Sequence, residues 1–236
     1  MNQDITTITK DSLKQDLETF LFKHNRSSNS VNQILKAYEF AFDSHGDQKR
    51  KSGEPYIVHP IAVAKTLIEL SCDDPTICAA LLHDVMEDTE VSLEDMKKAF
   101  GEETTSLVDG VTKLGKLNFK STEQEQANNF RKMLLAIAKD MRVVLVKLAD
   151  RLNNMQTLDH LPEEKQKKIA QETLDIFAPL ANRFGLNTIK IELEDLCLKY
   201  LHPIGYKKVN DIIKSKKSER EAQVKIVKER IRDILN

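Results

Sequence analysis

The sequence predicts an all-α fold, and three observations carry that reading. Only 7 Gly and 6 Pro punctuate the 236 residues. Leu, Ile, Lys, Glu and Ala recur at helical spacing nearly throughout, the pattern of amphipathic helices. No alternating apolar and polar run is long enough to demand a strand. Arg142-Val143-Val144-Leu145-Val146 is the one short segment that reads either way. With 40% hydrophobic and 31% charged residues, the chain is ordinary globular protein, sufficient for one large domain or two modest ones. Lys+Arg 36 against Asp+Glu 37 leaves a net charge of -1. No bulk field therefore draws the protein to nucleic acid or an anionic membrane, and any phosphate binding must be local. No apolar run approaches the ~20 residues of a bilayer span, and the N-terminal stretch is interrupted by charge. A cytosolic or organelle-lumen location is expected. Cys72, Cys78 and Cys197 are odd in number and lack C-x-x-C spacing, which fits reduced structural thiols.

Taken in order, His59-Pro60 marks an extended entry into a helix from about Ile61 to Ser71. Asp74-Pro75 supplies a capping carboxylate and a proline at the first helical position, ahead of a helix over Ile77 to Met86. Ser92, followed three residues on by Asp95, resembles a capping box for a helix ending at Gly101. Residues 115–128 are polar and read as a loop or frayed helix start. Met141 to Leu158 carries apolar residues on two faces, the mark of a central, buried helix. The character changes near Leu161-Pro162, after which helices are expected over 163–184, 187–201 and 206–235. The predicted joint divides the chain into 1–160 and 161–236. Pro179 should kink or shorten the first of the later helices. The last helix has Val209, Ile212, Ile213, Val227, Ile231 and Leu235 on its apolar side and no stop signal. That suggests a chain cut from a longer one.

The strongest chemical signal is Leu81-Leu82-His83-Asp84-Val85-Met86-Glu87-Asp88. In one unbroken helix, with His83 at 0°, Glu87 falls at ~40°, Asp84 at ~100° and Asp88 at ~140°. Three carboxylates and an imidazole then share an arc with residues that should face the interior. Their repulsion and desolvation call for a cation. Asp150 projects from the middle of the central helix, and it too needs an ionic partner: Lys147, Arg151, or a metal shared with His83 and Asp84. His59, following Arg50-Lys51-Ser52-Gly53-Glu54-Pro55-Tyr56, is weak evidence alone. Two imidazoles and two carboxylates suit a borderline-to-hard divalent ion such as Mn²⁺. Such an ion lowers the pKa of water and polarises a phosphoryl oxygen. Glu87 and Asp88 are placed to take or orient a proton.

The segments Arg50 to Pro60, Ala80 to Thr89 and Lys147 to Leu152 together resemble the hydrolase domain of RelA/SpoT-type alarmone enzymes. Gly110-Val111-Thr112-Lys113-Leu114, Asn129-Phe130-Arg131-Lys132-Met133 and Ala178 to Gly185 agree, so the resemblance extends from about residue 33 to 215. It implies an HD-type helical fold with a C-terminal helical extension. It also implies Mn²⁺-dependent removal of pyrophosphate from the 3′ position of ppGpp or pppGpp, giving GDP or GTP, in the cytoplasm. By position, His59, His83, Asp84 and Asp150 would ligate the ion, with Glu87 and Asp88 as the catalytic pair. Arg50, Lys51 and Ser52 would meet the nucleotide, Asn154 and Thr157 its sugar or phosphate, and Leu161 the guanine. Two departures stand out: Asn153 where the family usually has His, and Gln156 where a basic residue is common. Long members continue into a synthetase domain that this chain lacks. The competing expectations are an HD-type phosphohydrolase for another nucleotide, and a non-catalytic ppGpp-binding module.

Overall fold

The computed structural model describes residues 9–115, 135, 139–216 and 232. Among the described residues there is no strand, only an isolated antiparallel bridge between Lys49 and Pro55. The chain forms two compact units, Met1–Pro162 and Glu163–Asn236.

In the first unit, α1 (Lys10–Lys23), α2 (Ser28–His45) and α3 (Val58–Glu69) precede the central α4 (Asp74–Leu82). A short α5 (Val85–Asp88), then α6 (Leu93–Gly115) and α7 (Arg142–Gln156) complete it. Every residue of α4 from Thr76 to Leu82 is buried, because it packs against α2, α3, α6 and α7 at once. An all-round apolar helix is stable only in such a surround. The Arg142 to Val146 ambiguity resolves as helix: Val143, Val144, Val146, Leu148, Ala149 and Leu152 are all buried on α7, satisfying apolar residues on several faces. α6 and α7 approach closely at Gly110, where an added Cβ would lie 2.7 Å from Val143 Cγ2.

Several expected boundaries shift, each for a local reason. The cap of α4 is Asp73, whose carboxylate accepts from Thr76 N at 3.0 Å. Asp74 instead pairs with Arg26 at 3.1 Å and accepts from Ser30 Oγ at 2.6 Å. α6 is interrupted at Gly101, where φ 78° and ψ 176° are non-helical. The helix that opens at Leu93 ends there as expected, and a second helical stretch follows directly and runs to Gly115. The start of α6 is the reciprocal box foreseen, with Asp95 N to Ser92 Oγ 3.2 Å and Ser92 N to Asp95 Oδ2 3.3 Å. Most of the polar stretch 115–128, and Asn129 to Met133, lie outside the described residues.

The second unit contains α8 (Glu163–Glu172), a π-helical turn (Thr173–Phe177), α9 (Ala178–Arg183), α10 (Asn187–Leu201) and a helix over 203–216. Pro179 has no N–H to give to the preceding turn. The chain accommodates it by widening to a π turn and restarting with Pro179 in the first turn of α9, where no donor is needed.

Arg142 ties the first unit together at the head of α7. Its guanidinium reaches Asp73 Oδ2 and Glu103 Oε1, each at 2.7 Å, and Asp140 Oδ2 at 2.8 Å. Burial pushes Asp73 up, but Thr76 and Arg142 outweigh it, and Arg142 lowers Asp140. Because these folded-state values lie below the unfolded ones, the stabilisation is full above about pH 4 and fades as the carboxylates protonate. Arg142→Met is expected to cost about 1 kcal/mol at pH 7, limited by solvent screening, and clearly less at pH 3. Urea midpoints at the two pH values check this.

Candidate functional site

The site lies in the first unit, where α3, the α4–α5 junction and α7 meet. His59 sits in the first turn of α3 and is buried. Ahead of it, residues 48–56 turn back on themselves: Arg50 N donates to Glu54 O at 2.9 Å and Tyr56 N to Gln48 O at 2.9 Å. Gly53 takes φ 89°, a left-handed conformation that costs other residues a Cβ clash.

His83 and Asp84 do not lie in an unbroken helix, as the phasing had assumed. α4 ends at Leu82 and α5 begins at Val85. The Ala80 carbonyl, the acceptor an unbroken helix would offer to the Asp84 N–H, accepts from His83 Nδ1 at 2.7 Å. This break places His83 and Asp84 at a junction and moves Glu87 and Asp88 to a separate short helix, where both are exposed. A Cβ on Gly115 would lie 3.5 Å from both Glu87 Oε1 and Lys147 Nζ, so Glu87 stands on the Lys147 side of the site.

Asp150, buried mid-way along α7, faces both histidines. His59 Nε2 is 3.2 Å and His83 Nε2 3.9 Å from Asp150 Oδ1. Asp84 Oδ2 lies 3.7 Å from His59 Nε2 and 3.1 Å from His83 Nε2. The two imidazole rings meet edge-on with centroids 5.2 Å apart. His59, His83 and Asp150 present ligand atoms all within 4.8 Å of one another, a group that could hold a metal ion. Of the partners considered for Asp150, Lys147 and a metal are not exclusive. Lys147 Nζ takes Oδ2 at 2.6 Å, while Oδ1 faces the imidazoles and accepts from Asn154 Nδ2 at 2.6 Å.

Electrostatics explain what such a cluster lacks. Burial opposes charge on His83, but Asp84 and Asp150 outweigh it and raise its pKa to about 9. Burial likewise works against Asp84 and Asp150. Yet His83 and His59 hold Asp84 well below the usual carboxylate range, and Lys147 with the two imidazoles does so for Asp150. Without a metal, a proton on His83 thus supplies positive charge that a cation would displace. His83 Nε2 is buried and faces Asp84 Oδ2 at 3.1 Å, so its partner in the cluster is a carboxylate and not a neutral acceptor. The donor set, two imidazole nitrogens and two carboxylates with Nδ1 of each ring already engaged, fits a divalent ion.

Of the residues expected to meet nucleotide, the structure joins three. Arg50 Nη2 donates to Asn154 Oδ1 and Thr157 Oγ1, each at 3.3 Å. Ser52 donates to Glu54 at 3.2 Å, Lys51 is exposed, and Leu161 is half-buried after the turn that follows α7. Two residues were not singled out as binding groups. Tyr56 Oη donates to Asp84 Oδ2 at 2.7 Å, and burial plus the carboxylates of Asp84 and Asp88 keep its phenol protonated. Asn153 Oδ1 accepts from His59 Nδ1 at 2.6 Å and from Arg50 Nη1 at 3.1 Å. Tyr56 stood inside the motif before His59, whereas the role of Asn153 depends on a contact 94 residues away in sequence.

Comparison with known proteins supplies the frame for this geometry. A probable guanosine-3′,5′-bis(diphosphate) 3′-pyrophosphohydrolase of Synechocystis is 57% identical over 84% of this chain and 26% of its own length. A GTP pyrophosphokinase of Myxococcus xanthus is 53% identical over 81% of this chain and 26% of its own. The bifunctional (p)ppGpp synthase/hydrolase SpoT of Escherichia coli is 44% identical over 91% of this chain and 30% of its own. The chain thus spans less than a third of the length of these curated relatives. Residues 37–187, which contain every side chain of the cluster just described, match the HD domain model. The chain belongs to the HD-domain family.

Proposed function

We propose that this chain hydrolyses the 3′-diphosphate of ppGpp and pppGpp, giving GDP or GTP and pyrophosphate, with Mn²⁺ as its metal. The observation that carries the reading is the convergence of His59, His83, Asp84 and Asp150, whose imidazole nitrogens and carboxylate oxygens face one another, within the same unit as an Arg50–Asn154–Thr157 group suited to phosphate and sugar. The names of the relatives supply the guanosine substrate.

In this mechanism His59, His83, Asp84 and Asp150 hold the ion. The ion, when bound, supplies a lower pKa for water and polarisation of a phosphoryl oxygen. Glu87 and Asp88 receive the proton as the water oxygen bonds to the phosphorus on the ribose 3′-oxygen. That P–O bond breaks, and the 3′-oxygen leaves and is protonated. Lys147 keeps Asp150 ionised and turned toward the imidazoles. Tyr56 fixes Asp84 by donating to Oδ2. Arg50, held by neutral acceptors, presents its charge to the substrate diphosphate, with Lys51 and Ser52 beside it in the turn. Asn154 and Thr157 bind sugar or phosphate, and Leu161 offers an apolar surface to guanine. Residues 161–236 are read as a helical connector toward a synthetase domain of the same protein, as the bifunctional relative suggests. Among the described residues no helix is long and apolar enough to cross a membrane; cytoplasmic location belongs to the proposal.

The reading is tested by following pyrophosphate release from ppGpp beside a panel of deoxynucleotides and cyclic dinucleotides. Arg50→Ala is expected to raise KM for ppGpp about 10- to 100-fold, the scale of a charged hydrogen bond, with Mn²⁺ affinity unchanged within a few-fold. Equal turnover of the panel would assign the site to another nucleotide.

A further inference from the structure

Asn153 lies one turn beyond Asp150 on α7 and is 8% exposed. Its side-chain oxygen receives two donors from two different parts of the site: His59 Nδ1 at 2.6 Å and Arg50 Nη1 at 3.1 Å. A guanidinium can only donate, so the amide has one workable orientation, with oxygen toward Arg50 and therefore toward His59 as well. An oxygen in that position selects the His59 tautomer with hydrogen on Nδ1. Nε2 then keeps its lone pair on the side of Asp150 Oδ1 and Asp84 Oδ2. The equivalent service for His83 comes from the backbone carbonyl of Ala80, which no substitution can remove. For His59 it depends on one replaceable side chain.

We propose that Asn153 is a positioning residue, whose side-chain oxygen sets the His59 tautomer for metal binding and anchors Arg50 beside it. The inference rests on the metal-dependent reading above. Asn suits the task because it accepts two hydrogen bonds without adding a third negative charge beside Asp84 and Asp150. Outer partners that orient a ligating imidazole are commonly worth 10- to 100-fold in metal affinity.

The test is a Mn²⁺ titration without nucleotide, following the EPR signal of free Mn²⁺. Asn153→Leu, similar in volume but lacking an acceptor, is expected to bind Mn²⁺ about 10- to 100-fold more weakly. Asn153→Asp, which keeps the acceptor, should stay within a few-fold of the parent. A folded Asn153→Leu protein that binds Mn²⁺ as tightly as the parent overturns the inference, as does an Asn153→Asp protein as weak as Asn153→Leu. Should Asn153→Leu not fold, Asn153→Ala, which removes the acceptor without adding an apolar branch, takes its place: weaker Mn²⁺ binding by the folded variant supports the inference, and parental affinity overturns it. A parent that binds no Mn²⁺ overturns both this and the metal reading. A parent that binds Mn²⁺ yet leaves ppGpp intact overturns only the substrate assignment.

Discussion

Asp84→Ala is expected to lower Mn²⁺-dependent pyrophosphate release by more than about 10³-fold, because it removes an anionic ligand and with it the ion's hold on water and phosphoryl oxygen. Asp84 is the informative ligand to remove. Its carboxylate contacts both imidazoles, yet its side chain is 20% exposed, so truncation leaves no sealed void. Asp150 is different: it is buried against Lys147 and Asn154, and its loss would strand the Lys147 ammonium in the interior. Thermal unfolding separates chemistry from folding here. Saturating Mn²⁺ at about 100 times Kd should stabilise the parent by about 2.7 kcal/mol, and Asp84→Ala should lose most of that gain. Its metal-free melting temperature should fall modestly, since Asp84 pairs with His83 and accepts from Tyr56 without the ion, so the loss of the Mn²⁺-dependent gain is the readout.

The second large effect is expected from Glu87→Gln combined with Asp88→Asn. Both side chains are exposed on α5, just past the junction that carries His83 and Asp84. Neither enters the buried cluster of ligand atoms. The double variant should therefore take up Mn²⁺ like the parent while its kcat falls about 10²- to 10⁴-fold, the range for a positioned proton acceptor. Single variants should fall less if either carboxylate substitutes for the other. Direct metal titration together with kcat measurement distinguishes this from ligand loss, which weakens both.

How legible this was in the sequence differs from element to element. The all-α class followed from helical periodicity and scarce Gly and Pro, and even the valine-rich start of α7 fits once its several buried faces are seen. His83, Asp84 and Asp150 were found by asking which buried charges need a cation, His59 entered as a ligand only through the resemblance, and the fold brings the four together. The local path to that arrangement was not legible. Helical phasing assumed one helix through residues 77–86, whereas the His83 ring takes the Ala80 carbonyl and the chain breaks there. A side chain competing with the backbone for an acceptor leaves no trace in hydrophobic periodicity. Gly101 was read as a stop because glycine commonly ends helices, and its non-helical backbone does end one; that a second helix restarts at once was not legible. Asn153 was seen as a departure from related sequences. Its contacts with His59 and Arg50 span 94 and 103 positions and depend on tertiary packing alone.

The most direct test of the metal-dependent hydrolase is a product assay on metal-stripped protein given ppGpp, with and without added Mn²⁺. The account predicts stoichiometric GDP and pyrophosphate on Mn²⁺ addition, stopped by a chelator. Protein that binds Mn²⁺ with full occupancy and leaves ppGpp untouched would contradict it.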